Sequence, residues 1–238
     1  MIELFWCDGT WAGRGGSPAS EALRRSLRPS VKFTYVSYPG MFGPATGAHH
    51  MSAAESIEAG ARTMAAAVHA SPYPAIVGGY SQGAMVAYRF ARDILPKRPE
   101  LDVRAVAAMG NPHEPSHRGG RGGIAERVAL PRPLISEWAP GDPIADLEEN
   151  ALLREVWDLT RWMSVRDFPS AVRWANSLSD NVIESAAGDD GPDEWWRRPD
   201  VLASLRGANA YLFGTQHTTD YRRLGLATRL ARRIERVV

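Results

Sequence analysis

The sequence predicts an α/β protein, a mostly parallel sheet flanked by helices, and three observations carry that expectation. Short apolar runs alternate with helix-length segments through the first two thirds of the chain, as strand-helix-strand units require. One of those runs ends in Gly79-Tyr80-Ser81-Gln82-Gly83 and passes at once into a helical segment. The length, 238 residues, suits one large domain carrying an insertion.

In chain order, a strand is expected over 2–6, a Gly-rich loop over 13–17 and a helix over 20–27, followed by a second strand over 32–37. A long Ala-rich helix over 51–70 places Ile57, Ala61, Met64 and Val68 three or four apart, one apolar stripe for a sheet to cover. The third strand covers 75–78 and leads into a helix over 82–95 that Pro96 ends. A fourth strand covers 103–108, a mobile surface loop 116–123, and a fifth strand 133–138. From about 147 to 206 the pattern changes to Trp-rich helical segments, read as a cap inserted in the domain that spans 1–238. A short strand over 207–213 and an Arg-rich helix over 219–238 close the chain.

Charge excludes some partners. Lys and Arg number 28 against 27 Asp and Glu, a net charge of +1, so no cation cluster points to nucleic acid. Arg222, Arg223, Arg229, Arg232, Arg233 and Arg236 read as a solvated helix face. Cys7 is the only cysteine, so an intrachain disulfide is impossible and synthesis in a reducing cytoplasm is expected. The first residues lack a basic leader, and no stretch is apolar enough to span a bilayer. The expectation is a monomer without signal peptide or membrane anchor, released by some other agent.

Gly79-Tyr80-Ser81-Gln82-Gly83 is a Gly-x-Ser-x-Gly sequence between strand and helix, the nucleophile turn of α/β-hydrolases. A side chain at either glycine would collide with a neighbouring strand or helix, and the strained turn lifts the serine Oγ clear of the sheet. Such a serine needs a histidine base and an orienting acid later in the chain. His49, His50 and His69 precede Ser81, and His113 and His117 come too early to leave room for an acid loop. His217, in a loop near the end, is the expected base. The acid is expected at Asp142, in a Gly-Asp-Pro turn after the fifth strand, with Asp146 as rival. The oxyanion is assigned to the amides of Gln82, at the helix start, and Thr10, after the first strand. Asp8 sits awkwardly beside that site; it either points away or caps its own turn. A thiol enzyme using Cys7 is disfavoured, because no helix N-terminus follows it to activate it. The chemistry calls for no cofactor and no metal.

At these residues the chain resembles the lysin B esterases of mycobacteriophages, relatives of the cutinases. The resemblance rests on Gly9-Thr10, on Gly79-Tyr80-Ser81-Gln82-Gly83-Ala84, on Gly110-Asn111-Pro112, on Gly141-Asp142, and on His217 with Tyr221 after it. It implies a cutinase-like serine esterase that cleaves the ester between mycolic acids and arabinogalactan at the end of infection, acting at the host envelope after release from the cytoplasm. It also implies that the segment 147–206 is the family's helical insertion. Two features depart from the family: Asp8 stands where His is frequent, and cell-wall targeting is expected to fall to the catalytic domain rather than to an N-terminal peptidoglycan-binding extension. A general esterase or lipase acting on simpler acyl esters is the nearest alternative. A catalytically silent envelope-binding module is the alternative of another class.

Overall fold

The computed structural model describes residues 1–10, 16–149, 151, 153–163, 170 and 215–237. Among these residues five strands, β1 (Ile2–Cys7), β2 (Val31–Tyr35), β3 (Ala75–Tyr80), β4 (Val103–Met109) and β5 (Leu134–Glu137), form one sheet in the order β2-β1-β3-β4-β5. Every neighbouring pair is parallel. From β1 the chain moves outward to β2, then returns past β1 to lay β3 on its other side. In open α/β sheets the ligand crevice forms at the carboxyl ends of the two strands where the order reverses. Cys7 and Gly79 are register partners at those ends, so the loops opening at Asp8 and at Ser81 leave the sheet side by side.

Both sheet faces are covered, and the strands divide their side chains between them with a period of two. Leu4, Trp6 and Ile76 pack toward one helical layer, built from α1 (Pro18–Ser26) and the C-terminal helix, while Phe5, Cys7 and Val77 pack toward the other. That second layer consists of α3 (Ala53–His69) and α4 (Gln82–Arg89), which follow a four-residue α2 (Gly43–Thr46). The expected stripe on α3 is buried at Ile57, Ala61, Met64 and Val68. Ser52 and Glu55 fix where α3 begins through a reciprocal capping box. Trp6 lies flat where Gly78 leaves room, and its Nε1 donates to Ser20 Oγ at 2.9 Å, tying β1 to α1.

Several boundaries differ from the sequence reading for local reasons. The helix expected over 82–95 is α-helical only to Arg89, then widens into a π-type turn (Phe90–Ile94) and tightens into a 3-10 turn (Leu95–Lys97) around Pro96. Proline has no N–H to continue the i to i−4 ladder, so the α pattern ends before it. The helix expected over 219–238 is two helices, α6 (Asp220–Arg223) and α7 (Leu226–Ile234), separated by Gly225 at φ 69°. That left-handed turn is one that glycine adopts without strain. On this segment the arginines face solvent, and two of them, Arg229 and Arg233, also reach back to pair with Glu137, buried at the end of β5.

The loop 116–123 contains a 3-10 turn (Arg118–Gly120) and is tied down where Gly122 and Leu147 exchange backbone hydrogen bonds of 2.8 and 2.7 Å. Of the segment assigned to the cap, the structure describes α5 (Leu153–Thr160) and a few neighbours. The rest of that segment and the strand expected over 207–213 lie outside the described residues. Among the described residues no helix is long and apolar enough to cross a membrane.

Candidate active site

Ser81 leaves β3 at φ 56°, ψ −123° and is the one non-glycine residue among those described with positive φ. Its neighbours make that conformation possible. A Cβ on Gly79 would run into the backbone of Gly83 and Ala84, and a Cβ on Gly83 would run into the carbonyls of Cys7 and Asp8. The two glycines therefore allow α4 to start directly against the ends of β3 and β1, with Ser81 at its N-terminus. A backbone bond of 3.0 Å from Ser81 N to Met109 O holds the turn against β4.

Two distant loops converge on this serine. His217, in a 3-10 turn (Thr215–His217), places Nε2 2.9 Å from Ser81 Oγ, while its Nδ1 lies 2.9 and 3.0 Å from the two carboxylate oxygens of Asp142. Asp142 has no exposed surface and His217 is 3% exposed. With Nδ1–H donated to the carboxylate, Nε2 carries the lone pair that faces the serine hydroxyl, the arrangement that lets imidazole take its proton. Asp142 also accepts from Ile144 N at 2.8 Å and from the hydroxyl of Tyr221 at 2.5 Å.

The rival acid does different work. Asp146 accepts from Gly141 N at 2.6 Å and from Arg121 Nε at 2.8 Å, and lies 3.5 Å from His117 Nε2. It buttresses the acid loop from behind, while Asp142 carries the imidazole. His117 stacks on Trp138, and His113 is held by Glu126 O, so neither reaches Ser81.

Around the base, Tyr80 stacks on the imidazole with ring centroids 5.2 Å apart and donates its hydroxyl to the His217 carbonyl. Gly110, at φ 53°, leaves space that a Cβ would fill 2.9 Å from His217 Cε1. Tyr80, Gly110 and Tyr221 stand in the motifs that carry the resemblance, but sequence reasoning assigns none of them a role. Tyr80 was visible as the variable residue of the nucleophile turn, whereas the others depend on contacts that no local pattern encodes.

Of the two residues expected to hold an oxyanion, Gln82 follows the serine directly and Thr10 follows Gly9, which approaches it. A Cβ on Gly9 would lie 3.3 Å from Ser81 Cβ, so the loop after β1 passes close to Ser81 at Gly9. The Gln82 side chain is committed elsewhere, donating to Met41 O at 2.9 Å and accepting from Ser56 Oγ at 3.4 Å. What Gln82 can offer an oxyanion is its backbone N–H, in the first turn of α4 where no intrahelical partner exists. Asp8 caps its own loop: one oxygen accepts from Gly9 N at 2.7 Å, the other from Ser17 N, and its carbonyl accepts from Tyr38. Burial, with the Asp8 charge adding to it, pushes the Cys7 thiol far up, and its Sγ–H points to Val36 O, so it stays an inert thiol. A cleft of about 680 Å³ opens on the outer side of α3 and α4 against Trp157 and Trp162; neither Ser81 nor His217 lines it.

With this geometry in place, known proteins give a consistent picture of the scaffold. Residues 29–136 match the model of the PE-PPE domain, a stretch that contains the Ser81 turn and stops before Asp142 and His217. The SL1278 acyltransferase Chp1 of Mycobacterium tuberculosis is 32% identical over 117 residues. That match covers 46% of this chain and 28% of the relative, so the chain spans little more than a quarter of that protein. Among solved structures, lysin B from mycobacteriophage D29 is 19% identical with a TM-score of 0.52, covering 86% of this chain and 99% of that one. An acetyl xylan esterase is 18% identical with a TM-score of 0.47, covering 79% and 98%. The chain has the α/β-hydrolase fold, a parallel sheet flanked by helices on both faces.

Proposed function

We propose that the chain is a serine esterase in which Ser81, His217 and Asp142 form the catalytic triad. The observation that carries this reading is the unbroken relay of 2.9 Å contacts from Ser81 Oγ through the imidazole to a buried carboxylate. Ser81 attacks the ester carbonyl while His217 takes its proton, and the amides of Gln82 and Thr10 hold the resulting oxyanion. His217 then protonates the departing alcohol, leaving an acyl-serine. Water, deprotonated by the same imidazole, cleaves that acyl-serine to the free acid and regenerates the hydroxyl. Asp142 stabilises the imidazolium in both halves. Every group in this cycle is supplied by the chain.

For the substrate, the motif resemblance supports the ester between mycolic acids and arabinogalactan, cleaved at a mycobacterial-type envelope once the enzyme leaves the cytoplasm of its host. Simpler acyl esters or lipids use the same machinery with another pocket. The similarity to an acyltransferase favours a second reading, in which a second alcohol replaces water in the deacylation step.

The test is hydrolysis of a p-nitrophenyl ester by the wild type and by Ser81→Ala, then incubation of both with purified mycolyl-arabinogalactan and with an alcohol acceptor. Release of mycolic acid by wild type alone supports the envelope esterase. Formation of a new ester supports transfer, and short-ester turnover without either supports the general esterase. Equal activity in Ser81→Ala would remove the serine mechanism altogether.

A further inference from the structure

The residue that fixes the acid is a tyrosine. Asp142 is wholly buried, and each of its oxygens has a holder of its own: Oδ1 accepts from Ile144 N at 2.8 Å and Oδ2 from the Tyr221 hydroxyl at 2.5 Å, while His217 Nδ1 lies 2.9 and 3.0 Å from the pair. The same hydroxyl oxygen accepts from Ala139 N at 3.2 Å. A phenol has one proton, so with the amide occupying the oxygen's acceptor side, that proton is directed at the carboxylate. Burial, followed by the charge of Asp142, pushes the Tyr221 phenol well above its ordinary range and keeps it a neutral donor.

Tyr221 thereby spans the acid loop, grasping it at Ala139 and again at Asp142. Its ring is fully buried and set edge-on to Tyr80, 5.6 Å between centroids, so it has little freedom to follow the carboxylate if that turns. It sits four residues after His217, in α6, where backbone bonds from Thr218 N to Thr215 O and from Arg222 N to Thr219 O knit the base turn to the helix. Base and clamp are thus carried by one segment, 215–223.

We propose that Tyr221 is the positioning residue that locks the Asp142 carboxylate in the rotation that receives His217 Nδ1–H, and that it acts on catalysis only through Asp142. This inference rests on the serine-esterase reading. The test is a double-mutant cycle: kcat and KM on p-nitrophenyl butyrate for wild type, Tyr221→Phe, Asp142→Asn and the double variant, with Ser81→Ala alongside. Tyr221→Phe is expected to lower kcat roughly 10- to 100-fold, the worth of one hydrogen bond to a charged group expressed as a rate, with KM little changed. In the Asp142→Asn background the same change is expected to cost nothing further, because the charged acceptor is gone. An unchanged kcat in Tyr221→Phe, or an equal loss in both backgrounds, overturns the proposal.

If Tyr221→Phe does not fold, 3-fluorotyrosine at the same position keeps the shape and strengthens the donor. The downfield proton resonance of His217 Nδ1–H is then expected to shift, and an unmoved resonance overturns the proposal equally. Full turnover in Ser81→Ala would instead bring down the esterase reading.

Discussion

The loops that follow β4 and β5 lie side by side at the carboxyl edge of the sheet, and each buries a carboxylate. After β5, Asp142 meets an imidazole, a phenol and a backbone amide. After β4, Glu114 meets the hydroxyl of Ser136 at 2.6 Å and the amide of Asn111 at 3.2 Å, and faces the charge of Glu137. Burial above all, with Glu137 adding and the two hydrogen bonds and Arg233 partly offsetting, pushes the Glu114 carboxyl up to about 7. Glu114, buried and held by neutral donors, is a brace, a carboxyl inclined to keep its proton. To serve a base, a buried acid needs a partner that becomes a cation when the acid is needed.

The sharpest way to break this comparison is to remove the charge from Asp142. Asp142→Asn leaves shape intact but no longer selects the imidazole tautomer, and kcat is expected to fall about 10⁴-fold. Asp146→Asn, measured in the same assay, is expected to stay within about tenfold of wild type because it only loosens the loop behind the acid. Reversed sizes would give the acid role to Asp146.

Gly110 is the point where the β4 loop touches His217. Gly110→Ala forces an alanine to φ 53° and sets its methyl 2.9 Å from His217 Cε1. Displacing the imidazole by a fraction of its length is expected to cost about 10²-fold in kcat with little effect on KM. Wild-type kcat in a folded variant would mean that the β4 loop does not set the position of His217.

Glu114 gives the mildest effect, seen in stability. Its proton is held to about pH 7 in the fold and lost near 4.5 in the unfolded chain. Below pH 4.5 both states are protonated and nothing is lost. Between 4.5 and 7 the unfolded chain gives up a proton that the native state keeps, so stability falls as pH rises, by up to about 3 kcal/mol. Urea denaturation of Glu114→Gln and wild type between pH 4 and 8 is expected to show the variant gaining on wild type across that window. Parallel curves would show that Glu114 is not the strained group inferred from its surroundings.

How much of this was legible beforehand follows from the range of each interaction. The strands, α3 and the Ser81 turn are written in neighbours three to five residues apart, and the sequence places them within a few residues of their observed bounds. His217 and Asp142 were legible because chain order and the turn chemistry of Gly141-Asp142-Pro143 left few alternatives. The Asp142–Tyr221 bond joins residues 79 apart, and the Glu137 pairs with Arg229 and Arg233 join residues more than 90 apart. Periodicity carries no information about such pairs. The Arg-rich end is a solvated face, as its composition suggests, but the carboxylate that two of its arginines reach lies on the strand the helix covers, where composition does not show it.

The backbone of Ser81 has a consequence beyond the turn itself. Glycine would rest at φ 56° without strain, whereas a serine there is held against its own preference by the sheet on one side and α4 on the other. On the same scaffold used only as an adhesive surface, glycine at this position would give a sturdier protein. Ser81→Gly is therefore expected to raise the melting temperature of the chain, a gain in stability that the serine forgoes.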